Sequence, residues 1–123
     1  MRETAKALKT FFSGFGLPAY SETSVPDDLE LPYITYPIRE PEWREKATFY
    51  CILWCRTKGY AEALEKVDQI MAAIGEGVEL DIDGGYVYLY LENPQFEERE
   101  DTENDTKALY INMSMNAYHI AGI

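Results

Sequence analysis

The sequence predicts an α+β fold, a mostly antiparallel sheet with two helices packed on one face. Two segments carry apolar residues at helical spacing, and several others alternate with the period of two that marks strands. Their order is helix, edge strands, strand, helix, hairpin, loop, strand. At 123 residues the chain fits a single domain spanning 1–123, with no room for a second core.

The first helix is expected from about Glu3 to Phe12. Ala5, Leu8 and Phe12 recur at helical spacing, with Phe15 as a candidate extension and Arg2, Lys6 and Lys9 on the other side. Gly14 and Gly16 stop it and Pro18 prevents its resumption. A short extended piece, Ala19–Ser21, precedes a turn at Pro26-Asp27-Asp28. Leu31 to Ile38 has strand chemistry but holds Pro32 and Pro37. Proline cannot donate to a ladder, so an edge strand or a strand entered late is expected. Glu40–Lys46, containing Pro41 and Trp43, reads as a charged hairpin loop.

Ala47 to Arg56 is the strongest strand. Phe49, Cys51, Leu53 and Cys55 alternate with Tyr50, Ile52 and Trp54, so both faces are apolar and the strand should be central. One face meets helices; the other meets a second layer or another subunit. A second helix follows over about Tyr60–Ile74, with Leu64, Val67, Met71 and Ile74 as its expected stripe. Val78, Leu80 and Ile82 then alternate with Glu79 and Asp81, and Asp83-Gly84-Gly85 turns the chain into a strand over Tyr86–Glu92. Asn93-Pro94 is expected to end that strand. Residues 95–105 read as an acidic loop, with Glu97, Glu98, Glu100, Asp101, Glu103 and Asp105 against one Arg99. Lys107 to Tyr118 closes the sheet, with Leu109, Ile111, Met113 and Met115 on one side.

Charge narrows the functional classes. There are 22 acidic and 11 basic residues, a formal net charge of −11. Sequence-specific nucleic-acid binding needs clustered Lys and Arg, and adhesion to an anionic membrane needs the same, so neither is expected. No apolar run approaches the roughly 18–20 residues of a membrane span. The N-terminus lacks the pattern of a signal peptide, and a cytosolic location is expected. Cys51 and Cys55 lie four apart in a strand, about 13 Å at roughly 3.3 Å per residue, too far for a disulfide. They read as reduced packing residues.

Residues that carry chemistry are scarce. His119 stands without a sequence partner, and no nucleophile motif or phosphate-binding loop is present. Asp81-Ile82-Asp83-Gly84-Gly85 imitates the start of a calcium loop, but Gly85 offers no side-chain ligand and Tyr86 replaces the required glycine. The sequence therefore nominates no catalytic, cofactor or metal residue, and an enzyme is not expected. What it nominates is contact surface. Tyr86, Tyr88 and Tyr90 share a strand face, and tyrosine buries area while tolerating water. Trp43 is a further candidate, because tryptophan is common at binding hot spots.

Six segments carry a family resemblance. The first is Phe11-Phe12-Ser13-Gly14-Phe15-Gly16-Leu17-Pro18-Ala19-Tyr20, followed by Val25-Pro26-Asp27-Asp28 and Leu31-Pro32-Tyr33-Ile34-Thr35-Tyr36. Next come Ile74-Gly75-Glu76-Gly77, Asp83-Gly84-Gly85 and Asn93-Pro94-Gln95-Phe96. As an ordered set, from Phe11 to about Tyr118, they resemble the tail terminator (tail completion) proteins of long-tailed phages and prophages of Gram-positive bacteria. That resemblance implies a structural virion protein that forms a homo-oligomeric ring, usually a hexamer. The ring would cap the tail tube protein, end tail elongation and dock the head–tail connector protein. It also implies a location in host cytoplasm during assembly and then in the tail–neck region of the virion. Tyr33 and Tyr36, in the most specific segment, join Trp43, Tyr86, Tyr88 and Tyr90 as expected subunit or tube contacts. The acidic loop is expected to face a lumen or a neighbour, where negative charge would let DNA slide past. The alternatives are a head–tail connector or stopper and, from a different class, a small-ligand-binding α+β domain.

Overall fold

The computed structural model describes residues 2–38 and 45–119. Helix α1 (Arg2–Phe12) forms where the pattern asks for it, with Glu3 in its first turn and Lys9 in its last, both matched to the helix dipole. It buries Thr4, Leu8 and Phe12, while Ala5, Ala7 and Phe11 are half-buried. A short 3₁₀ turn follows and stops at Gly16, whose φ of +81° suits glycine. The chain then enters β1 (Ala19–Ser21) and β2 (Tyr33–Tyr36).

Of the two expectations for this segment, late entry holds, since β2 begins only after Pro32, and the edge position does not. β2 lies second from the end of the sheet, with β1 pairing outside it in parallel. The prolines allow this because Pro32 and Pro37 flank the strand and stay out of its ladder. β3 (Lys46–Arg56) is central as expected, between β2 and β6 (Thr106–His119). Of the loop expected over Glu40–Lys46, residues 40–44 lie outside the described residues, and Lys46 already belongs to β3.

Helix α2 (Tyr60–Ile74) has the expected bounds but a rotated stripe. Ala63, Val67, Ile70 and Ile74 are buried, whereas Leu64 and Met71 flank them half-buried. The apolar arc is broad enough for either setting, and packing on β3, β5 and β6 selects one. β4 (Val78–Ile82) then pairs with β5 (Gly85–Asp101) across the Asp83-Gly84 turn.

β5 corrects the largest expectation. It runs 17 residues and does not end at Asn93-Pro94. The segment taken for an acidic loop is mostly its second half, with Phe96 to Asp101 paired to Ile111 through Thr106 of β6. Between Leu91↔Met113 and Phe96↔Ile111, Glu92, Asn93, Pro94 and Gln95 stand opposite Asn112 alone. This bulge absorbs Pro94, which has no N–H to give. It also restores phase: Leu91 and Phe96 are at the odd spacing of five, yet both pair with helix-side residues, and Phe96 packs against the core. Only 102–105 remain as turn.

The sheet order is β1-β2-β3-β6-β5-β4, antiparallel except for β1–β2. Both helices lie on one side of it, so the fold is α+β as predicted. The core under them joins Leu8, Phe12, Ile34, Leu53, Ile70, Leu89, Ile111 and Met113, all free of solvent. Each such side chain contributes about 1.5–3 kcal/mol of hydrophobic burial. Helix α1 touches both end strands, β1 and β4, so the sheet curls around the helix layer.

Candidate functional site: the open aromatic face

Register fixes which residues share the face that the helices leave open. Opposed residues of an antiparallel pair point the same way. Tyr33 pairs with Trp54, Tyr50 with Asn112, Ile52 with Tyr110, Tyr90 with Ser114, Tyr88 with Asn116 and Tyr86 with Tyr118. All belong to one side of the sheet, opposite Cys51, Leu53, Ile111 and Met113. Among the described residues no helix or strand covers this side.

The aromatic rings engage one another along the face. Tyr86 stacks on Tyr118 with centroids 4.9 Å apart, and Tyr50 meets Tyr110 edge-on at 5.3 Å. Tyr33 stacks on Trp54, whose indole N–H donates to the Thr35 hydroxyl at 2.9 Å. These contacts hold most of the large side chains half-buried, with Tyr118 exposed, and between them Asn112 and Ser114 are buried. Ser114 and Thr48 share a hydroxyl hydrogen bond of 2.8 Å. The result is a broad, preformed surface whose polar atoms sit at the tips of apolar rings, the composition that suits a protein interface. A shallow depression in it is lined by Tyr88, Tyr90, Gln95, Asn116 and Tyr118, beside Glu76.

Tyr33, Tyr86, Tyr88 and Tyr90, expected as contacts, therefore lie together on the open face. Tyr36 does not. It is 2% exposed and stacks on Phe12 on the helix side, so it has no surface to offer a partner. The reason is parity: Tyr33 and Tyr36 are three apart, and strand neighbours at odd spacing point to opposite faces. Burial accordingly raises its phenol pKa, with Cys51 adding to the effect. Trp43 lies outside the described residues. Tyr110, expected beside the stripe from a neighbouring strand, is there, and Tyr50, Ile52 and Trp54 form the strand face expected to meet a second layer or another subunit. Tyr118 was not singled out from sequence, although its alternation with apolar partners was the signal that placed it on this side.

The acids expected in a loop are divided by the strand. Glu97 and Asp101 pair with Tyr110 and Thr106 on the open side, while Glu98 and Glu100 pair with Leu109 and Lys107 on the helix side. Glu97 accepts a hydrogen bond from the Tyr50 hydroxyl at 3.1 Å, and Glu98 one from Tyr60 at 2.6 Å. Each carboxylate raises the pKa of the phenol that donates to it. Glu103 and Asp105 sit in the turn. Asp101 accepts from the backbone and side-chain nitrogens of Asn104, at 3.3 and 2.7 Å, and these bonds hold its carboxyl below the usual value.

Cys51 and Cys55 are both buried free thiols on the helix side of β3, and burial pushes the Cys51 thiol far up. The imitation calcium loop is the β4–β5 turn. Among the described residues no three metal-ligating side chains come together. No helix among the described residues is long and apolar enough to cross a membrane. Against known families, characterised proteins and solved structures, the chain finds no match.

Proposed function

We propose that this chain is a ring-forming structural subunit that caps a phage tail tube, ends its elongation and presents a docking surface to the head connector. The observation that supports this most is the open aromatic face, which places Tyr33, Trp54, Tyr86 and Tyr118 on a side without a helix over it. A chain acting alone gains nothing from leaving so many rings half-exposed, whereas a subunit gains an interface of interior-like composition. The ordered segments from Phe11 to Tyr118 that resemble tail terminators direct the reading to that partner. A closed ring is heterologous and needs two different patches on each subunit. The open face and the sheet edges are distinct surfaces able to serve as such a pair.

Electron microscopy of particles from a producing strain lacking this gene tests the proposal. Overlong, ragged tubes without heads are the expected result. Tails of normal length beside separate filled heads would move the chain to the connector, and normal particles would overturn both readings.

A further inference from the structure

We infer that the groove between α1 and the outer edge of β4 receives an extended segment of a partner protein, with alternating apolar and basic residues, as an added strand. The groove encloses about 820 Å³ and has two unlike walls. One is Glu3, Lys6, Ala7, Thr10 and Phe11, which recur at i, i+3, i+4, i+7 and i+8 and so form one continuous stripe of α1. That stripe is distinct from Thr4, Leu8 and Phe12, which α1 buries. The other wall is the strand end Glu79–Asp83.

Three properties of this groove agree on the occupant. Its backbone is open: β4 ends the sheet, and among the described residues nothing pairs with its outer side. An edge strand presents unpaired N–H and C=O groups to an added strand. The opposite edge is unlike it, because the β1 carbonyls of Ala19 and Ser21 already accept from the Lys9 ammonium and the Ser24 N–H. Its floor is apolar: Ala7, Phe11, Leu80 and Ile82 pack against the core yet remain partly exposed. Alternate apolar side chains of an added strand would cover them. Its rim is acidic, with Glu3, Glu79, Asp81 and Asp83 against Lys6 alone. Charge complementarity selects Lys or Arg at the remaining positions. A second copy of this chain fits poorly, since acids outnumber bases two to one in it.

The inference does not depend on the proposed ring, because its test uses the isolated chain and reads a peptide at one sheet edge, where Glu79 and Asp81 stand opposite Tyr88 and Tyr86 at the border of the open face. The probe is an end-blocked octapeptide alternating valine and lysine, titrated into the labelled protein and followed by amide chemical shifts. The expected shifts fall on Glu79–Asp83 and on the Glu3–Phe11 stripe. The exposed pair Glu79→Lys and Asp81→Lys should weaken binding roughly tenfold while leaving the rest of the spectrum in place. N-methylating alternate peptide bonds removes the donors an added strand needs, so that peptide should not bind. Absence of binding, shifts centred on the Tyr86–Tyr118 face, undiminished binding of the N-methylated peptide, or equal binding of a valine–glutamate peptide would each overturn it.

Discussion

Phe12 and Tyr36 meet ring to ring on the helix side of the sheet, 4.9 Å between centroids, and tie α1 to β2. Phe12 has no solvent exposure, so its truncation removes apolar contact and leaves a cavity that close packing cannot refill. Phe12→Ala should cost about 3–5 kcal/mol, read as a lower midpoint in urea with an unchanged slope. A loss under about 1 kcal/mol would place Phe12 outside the core. Elsewhere, Asp101 and Asn104 form a side-chain clasp across the β5–β6 turn. Asn104 lowers the Asp101 pKa in the folded chain. A carboxyl so lowered adds stability above its unfolded pKa and loses it as pH falls through the folded value. The clasp should thus hold at neutral pH and open in acid, below about pH 4. An NMR titration should give Asp101 a midpoint under that of a free aspartate, and Asn104→Ala should bring it back up. An unchanged midpoint in that variant would remove Asn104 as the cause.

Elements show where local pattern sufficed and where it did not. The bounds of α2 were readable because Tyr60–Ile74 carries its own helical period and meets glycine at its end. The central place of β3 was readable because Phe49–Trp54 is apolar on both faces. The second half of β5 was not. Its Glu97, Glu98 and Glu100 resemble a solvated loop, and Pro94 resembles a stop. The segment is a strand because β6 lies beside it residue for residue, a long-range fact that no local window contains. The link from α2 to β4 has a similar hidden constraint. Gly77 has a φ of +148°, and a Cβ there would lie 1.8 Å from the Tyr88 hydroxyl oxygen. That hydroxyl donates to the Glu76 carbonyl at 3.2 Å, so Tyr88 folds over the link. Gly77→Ala must strain the backbone and displace the ring, at about 1–3 kcal/mol. The same variant with Tyr88→Ala should recover the part due to the clash but not the part due to φ. A double-mutant cycle that shows no coupling would mean the ring yields freely.

At the scale of the whole molecule, the sheet sorts the chain into two unlike sides, and that sorting was only half legible. Tyr86, Tyr88 and Tyr90 announced a shared face, but its extent over β2, β3, β5 and β6 depends on strand order and register, which local alternation does not state. The acids are the clearer case. As a loop they would have formed one charged lobe. As a strand they divide, with Glu97 and Asp101 on the open side and Glu98 and Glu100 on the helix side. If the chain forms the proposed ring and that ring conducts DNA, a lumen can be lined by one side of this strand and not by both, because successive residues point in opposite directions. Negative charge acts there by repelling phosphate and preventing adhesion, an effect that fades beyond a screening length of about 10 Å. Two charge-removing pairs therefore separate the sides: Glu97→Gln with Asp101→Asn, and Glu98→Gln with Glu100→Gln. Each removes two charges from one strand, so net charge changes equally while the side of the sheet differs, and each replaces one carboxylate that accepts from a tyrosine, Glu97 from Tyr50 or Glu98 from Tyr60. In particles complemented with each variant, one pair should slow DNA release and the other should leave it unchanged. Equal slowing by both would point to overall charge as the cause, and no slowing by either would remove this strand from the DNA path.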